Sequence, residues 1–307
     1  MKVLVTGGAG FQGSHIIGYL LGKNHEVTIL NTFSETSIRN IKQYKDKITV
    51  VWGSVTDYEL VAKTVREHDL VVHLAARIHV DESIEDPGTY IDVNVGGTYN
   101  VLEAIRKLDK QKPRLIYWGT CEVYGEPVKG KLSERSELRP QSPYAASKAA
   151  ADRLCYAYYR TYGINITIVR LFNIFGERQK FGVRGALIPT LVERAIKKET
   201  LIISGSGRQT RDYLYIDDVV ESFKILLTHN NLAGRVVNFA SGSDTSVKEI
   251  AQYIGKKFHV PIKHGQERPG EVMRFPADIS LARKLSFKPT VSIWQGIDRY
   301  INWRLQQ

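Results

Sequence analysis

The sequence predicts a doubly wound α/β fold, a parallel sheet with helices on both faces. Two observations carry that expectation. Apolar runs of strand length at 2–6, 26–30, 48–52, 70–74, 115–118 and 165–170 alternate with amphipathic stretches at 12–23, 57–67, 89–107 and 143–162. Strands buried on both faces and separated by helical patterns pair in parallel. The first run also passes directly into a glycine-rich turn, residues 6–13, which opens the first helical stretch.

The chain has 307 residues, enough for about two domains. Residues 1–170 hold the alternating pattern and form the first domain. Beyond Arg170 the pattern loosens, and Gly176, Gly182, Pro189, Gly205, Gly207 and Pro261 punctuate it. Residues 171–307 are expected to form a smaller α/β substrate-binding domain, with 213–240 returning to the first. No repeat, low-complexity tract or flexible linker appears. A composition 43% hydrophobic and 24% charged is that of a globular chain.

Composition also excludes classes of function. Two cysteines, Cys121 and Cys155, cannot build a disulfide framework or a cysteine-only zinc site. No metal-ligand spacing accompanies His73 or His79, so no metal is expected. The net charge is +11, but Lys and Arg are scattered without a basic run. Basic residues do not interleave with aromatics as in single-strand binders, so nucleic acid is not an expected partner. No apolar run reaches the ~18 residues of a membrane span, and the first residues lack the pattern of a signal peptide. A cytoplasmic protein is expected.

Residues 6–13 read Thr-Gly-Gly-Ala-Gly-Phe-Gln-Gly and contain both Gly8-x-Gly10-x-x-Gly13 and Gly7-x-x-Gly10-x-x-Gly13. Glycine permits positive φ and close approach to the backbone, so a diphosphate can rest on the N-terminus of the helix that follows. In this strand–turn–helix setting the motif predicts a Rossmann-type dinucleotide site at Gly7, Gly10, Phe11, Gln12 and Gly13. The second strand ends Leu30-Asn31-Thr32-Phe33-Ser34, without the acidic residue that usually meets the ribose. Asn31 bonds hydroxyls but would not repel a 2′-phosphate, and Arg39 stands nearby in sequence. NAD is the expected cofactor, and these two residues leave NADP open.

Tyr144 and Lys148 start a long helical stretch at i and i+4, on one face. A lysine cation and a positively charged nicotinamide would lower a phenol pKa from its usual value near 10. Tyr144 then serves as base for a sugar hydroxyl while hydride leaves the same carbon.

With these motifs stand His73-Leu74-Ala75-Ala76, Asn94-Val95-Gly96-Gly97-Thr98, Val123-Tyr124-Gly125, Phe172-Asn173, Arg211-Asp212-Tyr213 and Arg268-Pro269-Gly270-Glu271. In this order, over essentially the whole length, the chain resembles the extended short-chain dehydrogenase/reductase superfamily, the nucleotide-sugar epimerases and dehydratases. The resemblance implies a nucleotide-diphosphate sugar as substrate. It implies further cofactor contacts at Ser34, Ser54, Val55, Leu74, Ala75, Ala76 and Asn94, as well as at Asn31, Tyr144 and Lys148. Ser54 departs from an acidic adenine contact. Substrate contacts are implied at Ser83, Thr120, Asn173, Leu187, Arg211 and Arg268; arginine forks suit phosphate oxygens. The stretches 89–107 and 143–162 resemble the two helices that superfamily members pair into a homodimer.

The segment Gly119-Thr120-Cys121-Glu122-Val123-Tyr124-Gly125 separates the branches. Simple 4-epimerases resemble Ser-Ser/Ala-x-Val-Tyr-Gly here, whereas dehydratases keep Thr-x-Glu. Thr120 and Glu122 therefore point to a dehydratase, with Glu122 taking the C5 proton once C4 is a ketone. His79–Ile84 and Pro143–Leu154 also look like dTDP-glucose 4,6-dehydratases. Cys121 replaces the aspartate acid of that pattern, and Thr-Cys-Glu is similar to the tunicamycin-pathway UDP-GlcNAc 5,6-dehydratase. Strict alternation along a strand would turn Cys121 away from Thr120 and Glu122; the resemblance implies a bend that lets all three reach the sugar. The rival readings are a UDP-sugar 4-epimerase and a non-catalytic dinucleotide-sensing protein. A sensor has no use for the proton shuttle of Tyr144 and Lys148.

Overall fold

The computed structural model describes residues 1–109, 112–182, 185–267 and 272–307. Its strands in chain order are β1 (Lys2–Thr6), β2 (Glu26–Asn31), β3 (Thr49–Trp52), β4 (Leu70–His73), β5 (Arg114–Thr120), β6 (Ile166–Leu171) and β7 (Asn173–Phe175). There follow β8 (Leu201–Ser204), β9 (Thr210–Tyr215), β10 (Val236–Phe239), β11 (Asp244–Ser246), β12 (Ile262–Gly265) and β13 (Arg274–Phe275). The first helices are α1 (Phe11–Gly22), α2 (Glu35–Ile41), α3 (Tyr58–Val65), α4 (Val80–Glu85), α5 (Pro87–Tyr90) and α6 (Gly97–Arg106). The later ones are α7 (Pro143–Tyr162), α8 (Leu187–Ile196), α9 (Ile216–Thr228), α10 (Val247–Phe258), α11 (Ser280–Lys284) and α12 (Ile293–Leu305).

The chain divides into two compact units. The first comprises Met1–Val123, Pro140–Arg170 and Phe223–Val237; the second comprises Tyr124–Arg139, Leu171–Ser222 and Asn238–Gln307. Residues 124–139, inside the stretch expected for the first domain, thus cluster with the second. The segment that returns to the first is 223–237, shorter than 213–240.

The principal sheet has seven strands in the order β10-β6-β5-β4-β1-β2-β3. The pairs β1–β2, β1–β4, β2–β3 and β4–β5 are all parallel. Val3, Leu4, Val5, Val71, Val72, Leu115, Ile116, Ile166 and Ile168 are fully buried within it. That is the doubly wound arrangement expected from continuous apolar runs. From β1 the chain winds to β2 and β3 on one side, then crosses to β4, β5 and β6 on the other. The order reverses between β1 and β4, and ligands of such sheets bind outside the carboxyl ends at this reversal. The glycine turn follows β1 there, and Leu74-Ala75-Ala76 follow β4.

The stretch 89–107 is not one α-helix. Its start is α5, it widens to a π-helical turn over Ile91–Gly96, and only then becomes α6. The buried Asn94 lies in the wide turn and spends its amide on other segments. A π-turn is a common way to aim such a side chain.

In the second unit, β9 pairs with β11 antiparallel and with β7 and β13 in parallel, while β8 pairs with β12 in parallel. Asn238 knits the 124–139 segment into it. Its amide accepts from the Tyr124 hydroxyl (2.7 Å) and donates to the Leu132 carbonyl (3.1 Å), and its backbone N–H donates to Glu134 Oε1 (2.9 Å).

Candidate active site

The glycine turn is shaped by close approach. Gly7 has φ +70°, and a Cβ on it would lie 2.8 Å from the Ala75 nitrogen. Gly10 is the opposite case: a Cβ there would meet only the Gly7 carbonyl, at 3.1 Å. Gly10 caps α1 without a side-chain hydrogen bond, and the first turn of α1 holds no acidic residue. The N–H groups of that turn, including those of Phe11, Gln12 and Gly13, face an uncapped, open helix end. Such an end fits a diphosphate.

Two asparagines fix the turn. Ala9 N–H donates to Asn31 Oδ1 (3.1 Å), and Asn40 Nδ2 donates to the Ala9 carbonyl (3.1 Å). Asn31 is 8% exposed, and its Nδ2 donates to the Thr32 carbonyl (2.7 Å) and to Ser37 Oγ (3.1 Å). Asn31 is therefore committed to the turn and the start of α2. Asn40 is the partner that sequence alone does not reveal. Ser34 caps α2, accepting from Ser37 N–H (3.1 Å). Ser54 Oγ likewise accepts from Thr56 N–H (3.1 Å), and Val55 is buried.

A buried relay crosses the floor of the reversal. The Thr98 hydroxyl donates to the Asn94 carbonyl (2.6 Å), so its oxygen accepts from His73 Nε2–H (3.0 Å). His73 Nδ1 is left to accept from the Thr6 hydroxyl (2.7 Å). Burial, then the Lys148 charge, lower His73 to about 3, so it stays neutral. Asn94 Oδ1 accepts from Arg77 N–H (2.8 Å); its Nδ2 donates to the Arg77 carbonyl (3.0 Å) and Ser147 Oγ (2.9 Å). This fixes the chain leaving Leu74, Ala75 and Ala76 against α7. Ser83 is fully buried and its hydroxyl donates to the Val80 carbonyl (2.6 Å) within α4.

Ser142 caps α7 by accepting from Ala145 N–H (3.1 Å), and Pro143 starts its first turn. Tyr144 and Lys148 lie on its buried face, 8% and 4% exposed. Lys148 Nζ donates to the Trp118 carbonyl (2.9 Å) and sits 4.4 Å from the Tyr117 ring centre. Burial lowers Lys148 to about 8. In the chain itself Tyr144 is raised, by burial first and then by the charge of Glu122; a hydrogen bond with Thr120 works the other way. Lys148 directs one of its protons to the Trp118 carbonyl.

β5 ends at Thr120, and Cys121–Tyr124 form a 3₁₀ turn. Glu122 N–H donates to Thr120 Oγ1 (3.3 Å). The chain therefore bends at Cys121. Thr120 and Glu122 are half-buried near the Tyr144 phenol, and the Cys121 thiol is buried beside them.

In the second unit Asn173 opens β7, and its buried Oδ1 has no hydrogen-bond partner among the described residues. Leu187 begins α8, which, like α1, lacks a side-chain cap and a first-turn acid. Arg211 donates to the Thr210 carbonyl (2.9 Å) and stacks 5.1 Å from the Phe275 ring centre. Arg268 lies outside the described residues. Among the described residues no cluster suits a metal ion, and no helix is long and apolar enough to cross a membrane.

A family model described as GDP-mannose 4,6 dehydratase matches residues 4–300. The chain belongs to this family of nucleotide-sugar dehydratases and epimerases. A Methanocaldococcus jannaschii relative with a provisional UDP-glucose 4-epimerase name is 36% identical over 304 residues, covering 98% of this chain and 97% of its own. DesIV of Streptomyces venezuelae, a dTDP-glucose 4,6-dehydratase solved with NAD bound, superposes with a TM-score of 0.92 at 31% identity. That match covers 100% of this chain and 98% of the other. The UDP-glucuronic acid 4-epimerase of Bacillus cereus, solved with UDP-glucuronic acid and NAD, gives a TM-score of 0.93 at 30% identity, covering 100% and 99%. Both activities therefore occur in this family on the same fold.

Proposed function

We propose that the chain is an NAD-dependent nucleotide-sugar dehydratase acting on a UDP- or dTDP-linked hexose. The observation that carries this reading is the turn after β5, where Glu122 stands beside Thr120 with its charge acting on the Tyr144 phenol. A 4-epimerase has no step for that carboxylate.

The open N-terminus of α1 and the Gly10 cradle fit the cofactor diphosphate. When bound, NAD accepts hydride from the sugar and returns it. Tyr144 takes the proton of the C4 hydroxyl as its phenolate, the form that the cationic charges of Lys148 and of a bound nicotinamide would favour against burial and the Glu122 charge; the hydrogen bond with Thr120 favours the same form. Lys148, with two protons left beyond the one given to Trp118, supplies cationic charge and donors to the ribose. With C4 a ketone, Glu122 removes the acidified C5 proton. The C6 hydroxyl then leaves as water, taking a proton from Cys121 or a water. Arg211, with Arg268, is proposed for the phosphates and ribose of the nucleotide, Asn173 for the diphosphate through its amide N–H groups, and Leu187 for the base; arginine forks and amide N–H groups are the donors that phosphate oxygens accept from. Hydride return to C6 would leave a 4-keto-6-deoxy sugar, and return to C4 a 5,6-alkene.

The second reading is a UDP-sugar 4-epimerase, favoured by the name of the 36%-identical relative. Turnover of UDP- and dTDP-hexoses in deuterated water, with Glu122→Gln alongside, separates the two. The dehydratase loses water, exchanges its C5 hydrogen and is disabled by Glu122→Gln. A product altered only at C4, with the C5 hydrogen kept and Glu122→Gln tolerated, would establish the epimerase instead.

A further inference from the structure

Trp118 is an indole at the end of β5 that makes two hydrogen bonds from opposite ends. Its backbone carbonyl accepts from Lys148 Nζ (2.9 Å), and its Nε1–H donates to Gln12 Oε1 (2.5 Å). Gln12 is the second residue of α1, in the uncapped first turn. One residue thus bonds both the helix end suited to a diphosphate and the lysine beside Tyr144.

The residue has little freedom to move. It is 5% exposed, and its ring meets the edge of Phe223 at 6.2 Å, which in turn meets Tyr19 of α1 at 6.0 Å. The next position is pinned as well: a Cβ on Gly119 would lie 2.4 Å from the Val169 carbonyl of β6. A buried hydrogen bond inside such packing fixes direction as well as distance. A shift of the α1 turn against an anion is therefore felt at the indole, and the carbonyl orienting Lys148 belongs to the same residue.

We propose that Trp118 is a positioning residue that couples the diphosphate-binding turn at Gln12 to the Lys148 ammonium. The proposal rests on the NAD reading above for its ligand, and its test reads binding and spectra without requiring turnover.

The experiment is a double-mutant cycle on NAD affinity with Trp118→Phe, Gln12→Leu and the pair. Trp118→Phe keeps an aromatic ring but removes the donor together with part of the indole's bulk, so the cycle with Gln12→Leu, which cancels packing losses the two variants do not share, carries the comparison. Each single change should weaken NAD binding about threefold to tenfold, the range of one hydrogen bond. The pair should be no weaker than the weaker single variant by more than about twofold. The indole N–H resonance of Trp118, identified among the four tryptophans by its loss in Trp118→Phe, supplies the second readout. It should move upfield in Gln12→Leu, move in Lys148→Met, and move again when NAD is added. Multiplicative losses in the pair, unchanged affinities, or a resonance indifferent to Gln12 and Lys148 would overturn the coupling alone. Failure of the wild type to bind any dinucleotide would overturn the cofactor reading together with it.

Discussion

Lys148 carries its charge inside the protein, and the cost has a sign that can be measured. Below about pH 8 the lysine is charged in both folded and unfolded chains, and the folded form bears the burial penalty. Above it the folded lysine loses its proton first, so stability rises with pH until the unfolded lysine also titrates near 10.5. Lys148→Met should therefore be more stable than wild type at pH 7, by at most about 3 kcal/mol less the lost Trp118 hydrogen bond. Urea unfolding at pH 7 and pH 10.5 checks this: the advantage should shrink at the higher pH, and an unchanged gap contradicts it. Tyr144→Phe tests the neighbouring residue. It should lower turnover about 10²- to 10⁴-fold with NAD affinity within about twofold of wild type, and a near-normal rate would remove Tyr144 as the base. The i, i+4 spacing was enough to put these two side chains on one buried helix face. Nothing in the spacing foretold that Lys148 would turn to the Trp118 carbonyl or that Glu122 would help raise Tyr144. Those effects depend on which strand lies beneath α7 and where β5 bends, contacts made across long stretches of sequence.

The glycine turn was the most legible element, because strand, turn and helix are contiguous and each glycine has a local reason. Gly7 and Gly10 should nevertheless behave differently. Gly7→Ala forces a side chain to positive φ and toward the Ala75 nitrogen, so it should destabilise the fold by about 1–2 kcal/mol or more. Gly10→Ala meets only the Gly7 carbonyl and should melt near the wild-type temperature, yet its methyl occupies the diphosphate cradle and should abolish measurable NAD binding. Paired melting curves and NAD titrations distinguish the two, and a Gly10→Ala protein that binds NAD normally would displace the diphosphate from this turn. The six strands of the first half were equally legible, since apolar runs between helical patterns leave few alternatives. The break at Ile91–Gly96 was not. Residues 89–107 keep an amphipathic pattern, and what sets the π-turn apart is the Asn94 it carries to Arg77 and Ser147, contacts that periodicity does not encode.

At the scale of the whole chain, periodicity could not assign residues 124–139 to the second unit, because the Asn238 contacts that tie them there span more than a hundred residues. The outer faces of α6 and α7 bear on assembly. On α7, Ala146, Ala150, Arg153, Tyr156, Ala157, Arg160, Thr161 and Tyr162 are exposed, and on α6 Tyr99 is exposed. Most of these side chains are small or aromatic, where a solvated helix face would carry mainly charged ones. Small side chains let helices approach, and tyrosine is favoured where a surface becomes buried against a partner. We expect a homodimer in which these two helices of each copy pack together. Light scattering at micromolar concentration should give twice the chain mass. Ala150→Arg places a bulky cation in the middle of the α7 face, away from Tyr144 and Lys148 on the buried side of the same helix. That variant should run as a monomer while still binding NAD. A wild-type protein of single-chain mass, or an Ala150→Arg protein that remains dimeric, would place the contact elsewhere or remove it.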